Sequence, residues 1–132
     1  MKICLFGGTF DPPHIGHLLI AQTVFEAEKF DKVIFVPANK PPNKKAFSPQ
    51  ATRVEMLKLA VEGNPNFEIS DIEIERGGIS YTIDTIRAIK NELNFKDDKL
   101  FYLIGSDCLL DFHNWKDSES ILEECQVVVA IR

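Results

Sequence analysis

At 132 residues, 45% hydrophobic and 27% charged, the chain is long enough for one domain with a real core and has the composition of an ordinary soluble globule. Twenty acidic against fifteen basic residues give a net charge of −5, which argues against nonspecific nucleic-acid binding, and the longest apolar runs, 100–104 and 126–131, fall far short of the roughly 20 residues of a membrane span. Cys4, Cys108 and Cys125 are widely spaced with no Cys-x-x-Cys pair, so they read as small core residues; with no N-terminal signal pattern, the expected location is the cytoplasm.

Lys2 to Phe6 is a continuous apolar run, as in a strand buried on both faces of a parallel sheet. Gly7-Gly8 follows, and glycines after a strand are expected to take positive φ and bring backbone N–H groups close to an anion. Thr9, Phe10 and Asp11 lead to Pro12-Pro13, which stiffen the turn, and helical spacing (Leu18, Ala21, Val24 or Phe25, Glu28) begins between His14 and Gly16. His14 and His17 then fall on one face near a helix N-terminus, where about half a positive charge and several N–H donors suit a phosphate. Neither a Gly-x-Gly-x-x-Gly fingerprint nor a Gly-Lys-Ser/Thr phosphate loop is present. Asp11, His14 and His17, helped by Asp107 or His113, leave a metal-dependent hydrolase open as an alternative.

Val33 to Val36 reads as a second buried strand. The stretch from Pro37 to Pro49, with four prolines and Lys40, Lys44 and Lys45, reads as a basic flap emerging beside the glycine turn. Ser48-Pro49 is an expected N-cap and first helical position, followed by a helix with Val54, Leu57, Ala60 and Val61 inward. Arg53, in its first turns, is expected to be solvated or paired with a carboxylate. Phe67 to Glu75 alternates as a strand with a break at Ser70-Asp71, and Arg76-Gly77-Gly78 is a turn. Ser80 to Thr85 leads into a helix with Ile83, Ile86, Ile89 and Leu93 inward. Leu100 to Ile104 is the next buried strand and runs into Gly105-Ser106-Asp107, where a carboxylate past a strand end could accept hydrogen bonds from a ribose. Trp115 follows in a polar context suited to stacking, then a short helix over 117–124 and a last buried-type strand from Gln126.

Gly7 to His17, Pro37 to Lys44, Ser80 to Thr85 and Gly105 to Asp107, in that order, make the chain resemble the bacterial nicotinate mononucleotide adenylyltransferases, a branch of the nucleotidylyltransferase superfamily marked by His-x-Gly-His. The resemblance implies a single α/β domain, a Rossmann-like, doubly wound parallel sheet, C-terminally incomplete because the family's Ser-Ser/Thr-x-x-Arg signature would fall beyond Arg132. It implies adenylyl transfer from ATP, with Mg²⁺ held mainly by the ATP phosphates, to nicotinate mononucleotide, by a monomer or homodimer. A nucleotide-binding module without turnover is the alternative. By position, His14, His17 and Lys44 would be catalytic, with Asn43 standing where relatives commonly carry histidine. Gly7, Gly8, Thr9, Phe10, Gly16, Gly105 and Asp107 would bind the nucleotide, and Ser80, Tyr81, Thr82, Thr85 and Trp115 the mononucleotide.

Overall fold

In a computed structural model of the chain, which describes residues 1–42, 46, 48–94 and 99–131, the apolar runs become parallel strands of one sheet. These are β1 (Lys2–Gly8), β2 (Lys32–Pro37), β3 (Phe67–Ile69), β4 (Lys99–Gly105) and β5 (Gln126–Ala130), in the spatial order β3-β2-β1-β4-β5. The helices are α1 (Ile15–Glu28), α2 (Gln50–Val61), α3 (Ile72–Arg76), α4 (Thr82–Glu92), α5 (Ser106–Leu109) and α6 (Ser118–Glu124), with a 3₁₀ turn at Phe112–Asn114. The chain winds outward from β1 through β2 to β3, then crosses back to lay β4 and β5 on the other side. Winding therefore reverses beside β1, the place where open α/β sheets leave a crevice at the carboxyl ends of their strands.

Alternation along the strands feeds two cores. Cys4, Phe6, Phe35, Phe101 and Leu103 meet Ala21 and Val24 of α1 and Leu57 and Val61 of α2 on one face. Ile3, Leu5, Ile34, Val36 and Ile104 meet Ile83, Ile86 and Ile89 of α4 and Ile121 of α6 on the other. Both faces are covered, which is why β1, β2 and β4 are continuously apolar rather than alternating. The sheet is doubly wound, as the resemblance implied, and among the described residues no helix is long and apolar enough to cross a membrane.

Three local expectations need correction. Only Phe67–Ile69 is strand; beyond the break, Ile72–Arg76 is a helical turn ended by Gly77 at φ 73°, so Ile72 and Ile74 follow helical rather than strand geometry. At α2, Pro49 is the N-cap rather than the first helical residue, at φ −59° and ψ 154°, and its carbonyl accepts the Arg53 N–H. The third concerns β5, which among the described residues pairs with β4 alone, so its apolar run is half-buried here and Val129 reaches the surface.

Ile86 is fully buried on the α4 face. Ile86→Ala should lower unfolding free energy in urea by about 2–5 kcal/mol. A loss below about 1 kcal/mol would mean that this interface is not closely packed.

Candidate functional site

β1 ends in Gly7 and Gly8, and neither has positive φ. The requirement is space. A Cβ on Gly7 would fall on the Tyr102 hydroxyl, and one on Gly8 would lie 3.3 Å from the Phe10 ring. The left-handed residue of the loop is instead Phe10, at φ 51°, with its ring buried against Phe6, Phe35 and His17. A bulky residue at that φ is held there by its surroundings. The Asp11-Pro12 peptide is cis.

His14 is the N-cap of α1 and His17 is its third residue, so the helix opens with histidines where Ser/Thr and Glu commonly stand. The His14 backbone N–H donates to His17 Nδ1 at 3.0 Å, and the two rings stack with centroids 3.8 Å apart. Because Nδ1 accepts, the neutral His17 ring carries its proton on Nε2. Gly16 makes room for this pair, since a Cβ there would lie 2.8 Å from His14 Cε1. The Asp11 carboxylate accepts the Ser48 N–H at 2.8 Å, bracing the approach to α2. Among the described residues no group of three or more His, Cys, Asp or Glu side chains could hold a metal ion.

A second wall stands across the glycines. The Ser80 N–H donates to the Lys40 carbonyl at 2.8 Å, and Ser80 Oγ accepts the Asn39 N–H at 2.8 Å, so the exit of β2 and the Ser80 segment are knitted together. Glu73 of α3 is buried behind them and accepts the Thr85 hydroxyl at 2.5 Å. Burial pushes the Glu73 carboxyl above its ordinary value, opposed by the hydrogen bond from Thr85, the Arg76 charge and the hydrogen bond from Ser80. Tyr102 of β4 is buried between the walls, and desolvation raises its phenol, opposed by a hydrogen bond with Thr82.

The two walls enclose adjoining cavities. One, of about 450 Å³, is bounded by the Gly7–Phe10 loop, His14, His17, Gly105 and Asp107. The other, of about 510 Å³, is bounded by Glu73, Ser80, Tyr81, Thr82 and Lys116. Gly7, Gly8, Thr9, Tyr102, Cys108 and Trp115 border both, so the pair is one cleft with a seam. Thr9 sits on that seam only 8% exposed, and its Oγ1 is the one buried side-chain polar atom without a hydrogen-bond partner among the described residues.

The expected site residues therefore divide. The loop, both histidines, Gly105, Asp107, Ser80, Tyr81, Thr82 and Trp115 line the cleft, and Gly16 supports it from α1. Thr85 does not reach the surface; it is fully buried and bonded to Glu73. Lys44 lies outside the described residues, as do Asn43 and Lys45. The structural roles of three residues escaped the sequence. Tyr102 was hidden in an apolar strand run, Glu73 in an apparent strand, and Arg53 in an unremarkable helix start. The signal that exposed Arg53 is burial, at 1% exposure, which sequence does not display.

A doubly wound parallel sheet whose central strand ends in a glycine turn at a helix N-terminus, with a two-part cleft at the winding reversal, is the architecture of the α/β nucleotidyltransferase fold. The chain belongs to the family described as cytidylyltransferase-like, whose model matches residues 5–132. Relatives from Geobacter sulfurreducens and Dictyoglomus thermophilum, both named "Probable nicotinate-nucleotide adenylyltransferase", are each 45% identical across 100% of this chain, which spans 61% and 67% of their length. A Borreliella burgdorferi relative of the same name is 41% identical, with 100% of this chain and 68% of the relative covered. Within its family the chain thus sits in the nicotinate-nucleotide adenylyltransferase branch. The solved structure of Plasmodium falciparum nicotinic acid mononucleotide adenylyltransferase complexed with NaAD shares the fold, with TM-score 0.80, 16% identity, and coverage of 99% of this chain and 75% of that one.

The close approach of Tyr102 to Gly7 yields a rescue test. Gly7→Ala should destabilise the protein by about 1–3 kcal/mol through overpacking, and Tyr102→Phe in the same chain should recover part of that loss by removing the clashing oxygen. Thermal denaturation of both single variants and the double variant reads the coupling; strictly additive losses would rule the contact out as the reason for Gly7.

Proposed function

We propose that residues 1–132 form the nucleotide-holding α/β domain of a cytoplasmic enzyme that transfers the adenylyl group of ATP to nicotinate mononucleotide, giving deamido-NAD and pyrophosphate. The observation that carries this reading is the seam. Two cavities of comparable size meet at a glycine-rich strand end, and a buried hydroxyl without a partner, Thr9 Oγ1, sits where they join. An unpaired buried hydroxyl costs about 1–3 kcal/mol, and a phosphate oxygen at the seam would repay it. The family of the chain and the names of its relatives fit the same reaction.

In this reading the α1 side receives ATP as its Mg²⁺ complex and the Ser80 side receives the mononucleotide. An oxygen of the mononucleotide 5′-phosphate attacks the α-phosphorus of ATP. A new P–O bond forms there, the bond from the α-phosphorus to the bridging oxygen of the β-phosphate breaks, and pyrophosphate leaves with that electron pair. The nucleophile is already anionic, so no general base is required. The task is to bring two anions together and stabilise charge passing to the leaving group, which favours fixed donors over proton transfer.

The first turn of α1 supplies N–H groups and the positive end of a helix dipole, and carries no acidic residue to oppose them. Gly16 lets His14 and His17 pack at that terminus, and the His14 N–H fixes the orientation of the His17 ring by donating to its Nδ1. Asp107, in the first turn of α5 beyond the end of β4, would accept hydrogen bonds from the ATP ribose, and Gly105 borders the same cavity. Across the seam Tyr81, Thr82 and Trp115 would hold the pyridine ring, with Ser80 and Thr85 fixing the wall from behind. The cation supplies charge neutralisation on the phosphates. Without a three-ligand group among the described residues, it would be held chiefly by the substrate's own oxygens.

The test is a pyrophosphate-release assay with ATP and nicotinate mononucleotide, run beside calorimetry of mononucleotide binding. His17→Ala should lower kcat by on the order of 10²-fold, as for loss of one preorganised donor, when assayed at a temperature where the variant is folded. Near-native turnover in that variant would remove His17 from the reaction, and wild-type binding without turnover would favour a nucleotide-binding module.

A further inference from the structure

Arg53 belongs to α2, yet it is among the most buried side chains of the protein, at 1% exposure. Its Nε donates to the Ser48 carbonyl at 3.2 Å. One terminal nitrogen donates to the Thr9 carbonyl at 3.0 Å and the Ala38 carbonyl at 2.6 Å, and the other to the Asn39 carbonyl at 3.3 Å. These carbonyls come from three separate segments, namely the turn after β1, the exit of β2 and the approach to α2. Burial lowers the guanidinium below its ordinary value, while the charge of Asp11 opposes that shift. Stripping water from a cation costs several kcal/mol, so a buried arginine held by backbone carbonyls is not a cheap way to pack a helix.

What it holds explains the expense. Thr9 carries the orphaned hydroxyl at the seam, and its carbonyl belongs to the same peptide unit as the N–H of Phe10, the bulky residue at φ 51°. In a planar trans peptide the carbonyl and the N–H point to opposite sides. Anchoring the Thr9 carbonyl on Arg53 therefore turns the Phe10 N–H away from the guanidinium. Thr9 and Phe10 border the cavity beside His14 and His17, whereas Arg53 borders neither cavity and stands behind the loop. The Ala38 and Asn39 carbonyls fix the base of the second wall to the same group, because the Asn39 N–H is bonded to Ser80 Oγ.

We infer that Arg53 is a positioning residue: its fork of donors fixes the Thr9–Phe10 peptide so that the Phe10 N–H and the Thr9 hydroxyl face a bound phosphate, and locks both walls of the cleft to one buried cation. The inference deepens the proposed function, resting on its assignment of phosphate to the Thr9 side. Lysine cannot replace arginine here, since one ammonium lacks the planar fork that reaches three segments at once.

The test compares Arg53→Lys, Arg53→Met and Leu57→Ala, using inorganic pyrophosphate as the calorimetric probe at a temperature where circular dichroism shows every variant folded. Leu57, one turn further along α2 and fully buried, serves as the control for lost stability. Arg53→Lys should weaken pyrophosphate binding by about tenfold or more, the scale expected for a misplaced anion site, whereas Leu57→Ala, with an equal or larger drop in urea midpoint, should change it by less than about twofold. Arg53→Lys, which keeps the charge, carries the decision, and Arg53→Met is read only under conditions where it is folded. Wild-type affinity in Arg53→Lys, or a loss in Leu57→Ala that tracks its stability, would overturn the inference, as would wild-type protein that does not bind pyrophosphate. Wild-type binding of pyrophosphate without turnover of nicotinate mononucleotide would instead overturn the proposed reaction and leave the role of Arg53 standing.

Discussion

β1 is hydrogen-bonded on both sides, to β2 from Ile3 to Gly8 and to β4 from Lys2 to Phe6, and that double pairing is the constraint on which the cleft depends. Three parallel strands held in register must release their chains at one edge. β1 turns into α1, β2 feeds the segment that begins at Ala38, and β4 turns into α5 through Gly105. Because successive strands lie to one side of β1 and then to the other, the segments leaving β1 and β4 diverge and leave a crevice between them. Gly7 and Gly8 deepen it by giving up side chains where Tyr102 and Phe10 need the space. Register of the sheet thus places the seam, and side-chain volume shapes it.

Charge is distributed to match. To receive the anions of the proposed reaction, a protein of net charge −5 must gather positive potential locally, and among the described residues the cleft offers groups that add little net charge. The α1 N-terminus contributes dipole and N–H donors, and the two histidines pack into its first turn. Arg53 adds a cation that solvent screens poorly because it is buried behind the loop. On the opposite wall the buried Glu73, whose carboxyl burial pushes above its ordinary value, borders the adjoining cavity. The two halves therefore differ in chemistry as well as position.

Much of this was legible because it rests on local chemistry. The apolar runs at β1, β2 and β4 have both faces buried, and the helical spacing after His14 continues into the core through Ala21 and Val24. The loop from Gly7 to His17 showed itself through residue types that only a tight turn at a helix start would combine. What stayed hidden depends on contacts between distant segments. Gly7 gave the impression of a positive-φ residue, whereas its constraint is Tyr102, 95 positions further along the chain by number. Phe10 carries no sign of the left-handed conformation that its buried ring enforces. Arg53 has the polarity of a surface residue, and only the convergence of three carbonyl-bearing segments buries it. Ile72 to Arg76 alternates like a strand, but five residues are too few to separate the two periods.

The central claim is that the seam joins two sites that are filled at once. Nicotinate mononucleotide titrated into protein already saturated with a non-hydrolysable ATP analogue measures this directly by calorimetry. The account predicts one equivalent of mononucleotide bound with the analogue retained, and an affinity at least equal to that for the free protein. Displacement of the analogue, or loss of mononucleotide binding in its presence, would reduce the two cavities to one shared site and contradict the account.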